Sequence, residues 1–62
     1  MTPTAAELTS MAATVGELTD RLRAIAGTFE AARRDDLVAE AHEAERTLEA
    51  AKRRLDRLAG AE

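Results

Sequence analysis

Apolar residues recur at mirrored positions in the two halves of this chain. In the first half they alternate spacings of three and four residues, at Leu8, Met11, Val15, Leu18, Leu22, Ile25 and Phe29. The second half runs the same spacings in reverse, so that mirrored residue numbers sum to 66, at Leu37, Ala41, Ala44, Leu48, Ala51, Leu55 and Leu58. Such spacings place side chains on one face of an α-helix. We therefore expect an antiparallel, coiled-coil-like hairpin of two helices with these fourteen residues as its core.

The composition indicates the same all-α fold class. Apolar residues make up 45% of the chain and charged residues 34%, and Phe29 is the one aromatic residue. Alanine is abundant and runs of β-branched residues are absent. Such a composition suits helices better than strands.

The first helix carries two candidate start signals. Thr4 followed by Glu7 matches a capping box, in which each side chain bonds to the other residue's exposed backbone N–H. A start at Pro3 with Thr2 as the cap is the alternative, because proline suits the first position of a helix.

The turn is placed where four consecutive charged residues interrupt the apolar spacing, at Arg33–Asp36. Asp35 or Asp36 is a candidate N-cap for the second helix, since a carboxylate accepts hydrogen bonds from exposed amides. Gly60 is a candidate C-cap at the far end.

These signals predict one hairpin domain over residues 1–62. Helix 1 is expected at about 4–32, the turn at about 33–36 and helix 2 at about 36–59. The competing interpretation is one continuous helix in a long parallel coiled coil. That interpretation requires Arg33 to lie on the apolar seam.

The small size of the chain predicts association. Below about 70–80 residues a single apolar core rarely supplies more than about 3–5 kcal/mol. This chain has 62 residues and no cysteine for a disulfide. We expect two hairpins to form a homodimer, an antiparallel four-helix bundle. The predicted association face consists of the small residues that flank the seam in helix 1, namely Ala5, Ala12, Thr19 and Ala26.

No residue pattern predicts catalytic residues, a metal site or a bound cofactor. His42 is the single histidine and lies near Glu40 and Glu43. Di-iron bundles repeat a Glu-x-x-His pattern on two helices, and this chain has no such repeat, so we expect a surface histidine. Ser10 is the one serine, and there is no glycine-rich phosphate loop. The chain is therefore not expected to be an enzyme.

Charge is distributed unevenly along helix 2. The first half is acidic, and the second half carries a basic patch of Arg46, Lys52, Arg53, Arg54 and Arg57. Acidic residues interleave with this patch, which favours ion pairs along an exposed helix. If two copies of helix 2 lie antiparallel in a dimer, the acidic half of each helix faces the basic half of the other. Such an arrangement favours one relative orientation of the two copies. The net charge of -3 and the lack of nearby aromatic residues argue against nucleic-acid binding.

These patterns favour a non-enzymatic protein–protein interaction module, such as a scaffold, adaptor or regulatory subunit. Its expected partner is a second copy of the chain or another helical protein. The alternative is a small nucleic-acid-associated regulator that uses the basic patch. No stretch is long and apolar enough to span a membrane, and no signal region precedes the first helix, so a cytoplasmic protein without a membrane partner is expected.

Overall fold

Two long helices make up the hairpin. The computed structural model describes residues 2–61. Helix α1 spans Pro3–Ala31 and helix α2 spans Asp35–Ala61, and the two pack against each other along their length. The Cα atoms occupy about 46 × 14 × 9 Å. The predicted all-helical hairpin is confirmed, and the continuous helix is wrong. Met1 and Glu62, which the predicted domain includes, lie outside the described residues.

Helix α1 begins two residues earlier than the capping box predicts. The hydroxyl oxygen of Thr2 accepts a hydrogen bond from the backbone N–H of Ala5 at 2.9 Å, and Pro3 occupies the first helical turn. Thr4 lies inside the helix. Proline already has the φ angle of a helix and has no N–H to leave unpaired. The start signal is therefore the Thr2–Pro3 pair, the alternative that the sequence left open.

Helix α1 ends in a Schellman motif, although the left-handed position of the motif is occupied by Arg33 and not by glycine. The N–H of Arg33 donates to the carbonyl of Glu30 at 3.0 Å, and the N–H of Arg34 donates to that of Phe29 at 2.9 Å. These two bonds define the motif. Arg33 has a φ of 57°, in the left-handed region that glycine usually occupies. Backbone hydrogen bonding, rather than a glycine, therefore reverses the chain.

Helix α2 begins with the two aspartates as its first residues, not as its cap. The carbonyl of Arg34 accepts from the N–H groups of Leu37 and Val38, both at 3.0 Å. Asp35 and Asp36 therefore lie in the first turn, where their charge favours the positive end of the helix dipole. The cap is Arg34, so the predicted N-cap, Asp35 or Asp36, is wrong by one or two residues.

At the other end, α2 continues through Gly60 to Ala61, so the predicted C-cap at Gly60 is wrong. No glycine of the described residues has a positive φ. A glycine allows the left-handed backbone of a C-cap but does not impose it.

Small residues lie between the two helices. The four buried residues of α1 are spaced by seven and are each no more than 5% exposed: Ala5, Ala12, Thr19 and Ala26. In α2 the buried residues are Ala41 and Glu45. Small side chains let the backbones of two helices approach closely. The closest contact within the hairpin is therefore an alanine-rich row and not a seam of leucines.

This packing corrects the predicted core. Leucine, valine and phenylalanine remain half-buried at the flank of the small row, at Leu8, Val15, Leu22, Phe29, Leu37, Leu48 and Leu55. Ala51 is also half-buried and Ala41 is buried. Five of the fourteen predicted core residues are exposed, so their assignment to the interior of the hairpin is wrong: Met11, Leu18, Ile25, Ala44 and Leu58.

The predicted association face is also wrong, because Ala5, Ala12, Thr19 and Ala26 are buried within the single hairpin. Compared with the orientation that the predicted core requires, each helix is rotated about its own axis by roughly 50°. This is half of the 100° between successive residues of a helix. Side-chain contacts across the hairpin have residue-number sums of 68 for Arg23 with Glu45 and for Gly16 with Lys52, and of 72 for Arg23 with Glu49. The rotation brings the small row inward and leaves part of the apolar stripe outside.

Candidate association surface

The hairpin has a polar side and an apolar side. Arg23 follows the buried Thr19 by four residues, and its ion pairs with Glu45 and Glu49 of α2 mark the polar side. Met11, Leu18 and Ile25 each precede a buried residue by one, which places them on the opposite flank of α1.

The same reasoning applies to α2. Ala44 and Ala51 precede Glu45 and Lys52 by one residue, and Leu58 precedes the half-buried Ala59. These residues therefore lie on the flank of α2 away from Arg23. We call the resulting surface the apolar face. It comprises the exposed Met11, Leu18, Ile25, Ala44 and Leu58 and the half-buried Leu8, Val15, Leu22, Phe29, Leu37, Leu48, Ala51 and Leu55.

The apolar face is extensive for so small a chain. Its four large exposed residues are 43–54% exposed: Met11, Leu18, Ile25 and Leu58. They are distributed along a hairpin about 46 Å long. Single exposed apolar residues are ordinary on protein surfaces, whereas a continuous apolar row marks an interaction site.

The polar side is organised by Arg23. Its Nε donates to Glu45 Oε1 at 3.0 Å, and its Nη2 donates to Glu49 Oε1 at 2.9 Å. Its Nη1 donates to Asp20 Oδ1 at 3.2 Å. The planar guanidinium suits several carboxylates at fixed angles. One side chain of α1 therefore bridges to two side chains of α2.

Glu45 is the buried member of this cluster. Its Oε2 lies 2.6 Å from His42 Nδ1. The pKa of Glu45 is lowered from 4.5, because its carboxylate is bonded to His42 and then to Arg23, while burial acts in the opposite direction. No buried side-chain nitrogen or oxygen within residues 2–61 lacks a hydrogen-bond partner. The buried carboxylate of Glu45 is thus paired within one chain.

Sequence patterns did not single out Glu45 or its contact with Arg23. The two residues are 22 positions apart, and no local spacing links them. The one available signal is heptad position, since Glu45 lies four residues after Ala41 and three before Leu48. His42 has an exposed ring, and residues 2–61 contain no cluster of three histidine, aspartate or glutamate side chains that could hold a metal ion.

A shallow groove of about 460 Å³ lies on the polar side. Its lining includes Gly16, Thr19, Arg23 and Lys52. A Cβ on Gly16 would lie 3.3 Å from Lys52 Cε, so the glycine makes room for the alkyl stem of the lysine. The ammonium group of Lys52 pairs with Asp56 at 3.2 Å. The groove is therefore crossed by a side chain that already has a partner.

The predicted basic patch is divided. Arg46 pairs with Glu43, which raises the pKa of the guanidinium, and Lys52 is turned toward Gly16 and Asp56. Arg53, Arg54 and Arg57 are exposed. The structure thus brings three of the five basic residues together on the outer surface of α2 and separates the other two from them.

No helix of residues 2–61 combines the length and the apolar character needed to cross a membrane. Searches against models of protein families, curated protein sequences and solved structures found no match to this chain.

Proposed function

We propose that this chain is a non-enzymatic protein–protein interaction module. It self-associates by burying its apolar face against that of a second copy, which produces a four-helix bundle. The observation that carries the proposal is the exposure of Met11, Leu18, Ile25 and Leu58 in a hairpin whose buried side-chain nitrogen and oxygen atoms within residues 2–61 all have hydrogen-bond partners. Removing such apolar surface from water is favourable by about 25 cal/mol for each Å².

The size of the face is adequate for an interface. The backbone footprint of about 46 × 14 Å corresponds to roughly 640 Å², against about 800 Å² per partner in a standard interface. Side chains extend beyond the Cα atoms and increase the footprint further. A second hairpin therefore supplies the cover that one chain lacks.

The edges of the apolar face are polar, as in protein interfaces generally. In α1 the edge carries Glu7 and Arg21, each four residues before an exposed apolar residue. In α2 it carries Glu40 and Arg54, each four residues before Ala44 or Leu58. A scaffold, adaptor or regulatory subunit would use such an edge to select its partner.

Sedimentation equilibrium at micromolar concentrations tests the proposal. The wild type should sediment as a dimer, with twice the monomer mass of 6.7 kDa. Leu18→Glu and Ile25→Glu should sediment as monomers, because each places a charge in the centre of the buried face. Ala24→Glu is the matched control, since Ala24 is exposed but lies outside the apolar face.

Two results would contradict the proposal. One is a wild-type chain that is monomeric and cooperatively folded at every concentration tested. The other is a dimer that Leu18→Glu weakens no more than Ala24→Glu does.

A further inference from the structure

We infer that the two copies pair with their turns at opposite ends, so that α2 lies antiparallel on α2 and α1 lies antiparallel on α1. The inference rests on the proposed self-association and adds the orientation and the facing residues. The competing orientation has both turns at the same end, with α1 of each copy lying on α2 of the other. The two orientations bury the same face but bring different residues together.

The outer face of α2 is complementary to itself when reversed. Leu37 mirrors Leu58 and Ala44 mirrors Ala51, and both pairs are centred between Thr47 and Leu48. At the edge of the face, Glu40 mirrors Arg54 about Thr47. For these two apolar pairs, large faces large and small faces small under reversal, and the edge pair brings opposite charges together, whereas Leu55 mirrors Glu40.

The outer face of α1 is also self-complementary when reversed, and its centre lies at the same level of the hairpin as the centre in α2. Its apolar residues form mirrored pairs that sum to 40 and are centred on Asp20: Met11 with Phe29, Val15 with Ile25, and Leu18 with Leu22. Two contacts across the hairpin sum to 68, and the longer reach of Arg23 Nη2 to Glu49 sums to 72. We take 68 as the register, which places Asp20 level with Leu48. The centres of the two helices thus agree within about one residue, or about 1.5 Å. One two-fold axis satisfies both helices.

Charge distinguishes the two orientations. With turns at opposite ends, Glu40 of each copy lies near Arg54 of the other, which makes two attractive contacts. With turns together, the register of 68 sets Glu40 against Thr28 and Arg54 against Thr14, which are uncharged. Opposite charges at the edge of an interface act mainly on orientation.

Arg21 acts against the inferred orientation. Near the two-fold axis it faces Arg21 of the second copy, whereas with turns together it faces Thr47. Two attractive contacts outnumber this single repulsive one. The balance favours turns at opposite ends, and it makes Arg21 a diagnostic residue.

Distance measurement between spin labels tests the orientation directly. The chain has no cysteine, so Ala32→Cys in the exposed turn provides a single labelling site. With the two-fold axis level with Asp20, turns at opposite ends predict a separation of about 36 Å, because each Ala32 lies twelve residues from the axis at about 1.5 Å per residue. Turns together predict less than about 20 Å, two helix spacings. A short distance in a dimer overturns the orientation alone. A monomer, recognised by sedimentation, overturns the proposed function and with it this inference.

Charge reversal tests the facing pair independently of labels. Glu40→Arg and Arg54→Glu should each raise the dissociation constant by about fivefold, because two-fold symmetry reverses two contacts at once. The double variant should recover the wild-type value, and salt at about 1 M should remove the differences. Glu17→Arg is the matched control, since it makes the same change of charge outside the apolar face.

Arg21→Gln should tighten the dimer in the inferred orientation and leave it unchanged in the other. If the single reversals leave association unaltered, or if the double variant does not recover it, the assignment of Glu40 to Arg54 is wrong.

Discussion

The two sides of the hairpin differ in how completely one chain covers them. On the polar side, Arg23 reaches across to Glu45 and Glu49, and Lys52 lies over Gly16. On the apolar side, Leu18 and Ile25 remain 43% and 47% exposed. Polar side chains are long enough to meet between the two helices, whereas Met11, Leu18, Ile25 and Leu58 remain exposed to solvent.

This difference is the basis of the self-association that we propose. The alanine row and the Arg23 cluster specify how the two helices meet. Under the proposal, the exposed apolar face adds stabilisation that a small single core rarely supplies. Changes on the two sides should therefore have different consequences.

The largest effect is expected where the two sides meet. Leu22 is half-buried beside the small row, and Leu22→Asp places a charge against both α2 and the apolar face. The cost of about 2–5 kcal/mol is comparable to the whole stability of a chain of this size. Circular dichroism should show loss of the cooperative helical transition. Ala24→Asp, at an exposed position of α1, should keep it. An unchanged melt for Leu22→Asp would contradict the packing described.

Enlarging the alanine row should have the next largest effect. Ala26 is 2% exposed, and Ala26→Leu forces the helices apart at a cost of about 1–3 kcal/mol. Urea unfolding followed by circular dichroism measures this cost, with Ala24→Leu as the control. A stabilising Ala26→Leu would show that the row is not the contact within the hairpin.

The turn should respond in the opposite direction. Arg33 adopts a left-handed backbone that costs a non-glycine residue about 1–2 kcal/mol. Arg33→Gly should therefore raise the free energy of unfolding by about 1 kcal/mol, after allowance for the greater freedom of glycine in the unfolded chain. Arg34→Gly should give no such gain, because Arg34 does not have a positive φ. Equal effects of the two substitutions would argue against the Schellman geometry.

The smallest effect is expected from acidification of the polar side. The pKa of Glu45 is lowered from 4.5 by its bonds to His42 and Arg23. A carboxyl group whose pKa is lower in the folded state stabilises the fold above its unfolded-state pKa. That contribution disappears as the pH falls through the folded-state value.

The melting temperature should accordingly fall less for Glu45→Gln than for the wild type between about pH 5.5 and about pH 3. Glu17→Gln is the control, because Glu17 is exposed, lies outside the apolar face and forms no ion pair within residues 2–61. Identical falls in the wild type and Glu45→Gln would remove the contribution assigned to the cluster.

Much of the fold follows from local spacing. The intervals of three and four residues identify both helices, and the run Arg33–Asp36 locates the reversal within two residues. Helical periodicity depends only on neighbours along the chain, so these features do not require knowledge of the partner helix. The positive φ of Arg33 has no such signal, because glycine and asparagine are the residues that usually mark a left-handed position.

The site was harder to predict from sequence. Spacing groups Met11, Leu18 and Ile25 with Leu8, Val15, Leu22 and Phe29 as one stripe, but the structure divides that stripe between partner helix and solvent. When the apolar stripe of a helix is wide, either edge of the stripe can pack against the neighbouring helix. The choice depends on how closely the other helix approaches, which spacing along one helix does not reveal.

The sequence by itself determined that the chain forms two helices, where they reverse, and which residues belong to an apolar stripe. These properties are set by side chains within one or two turns of each other. The tertiary structure alone decided the rotation of each helix, the burial of the alanine row and the bond between Arg23 and Glu45. Rotation and register are properties of two surfaces in contact, and residues 22 positions apart meet only after the chain has folded.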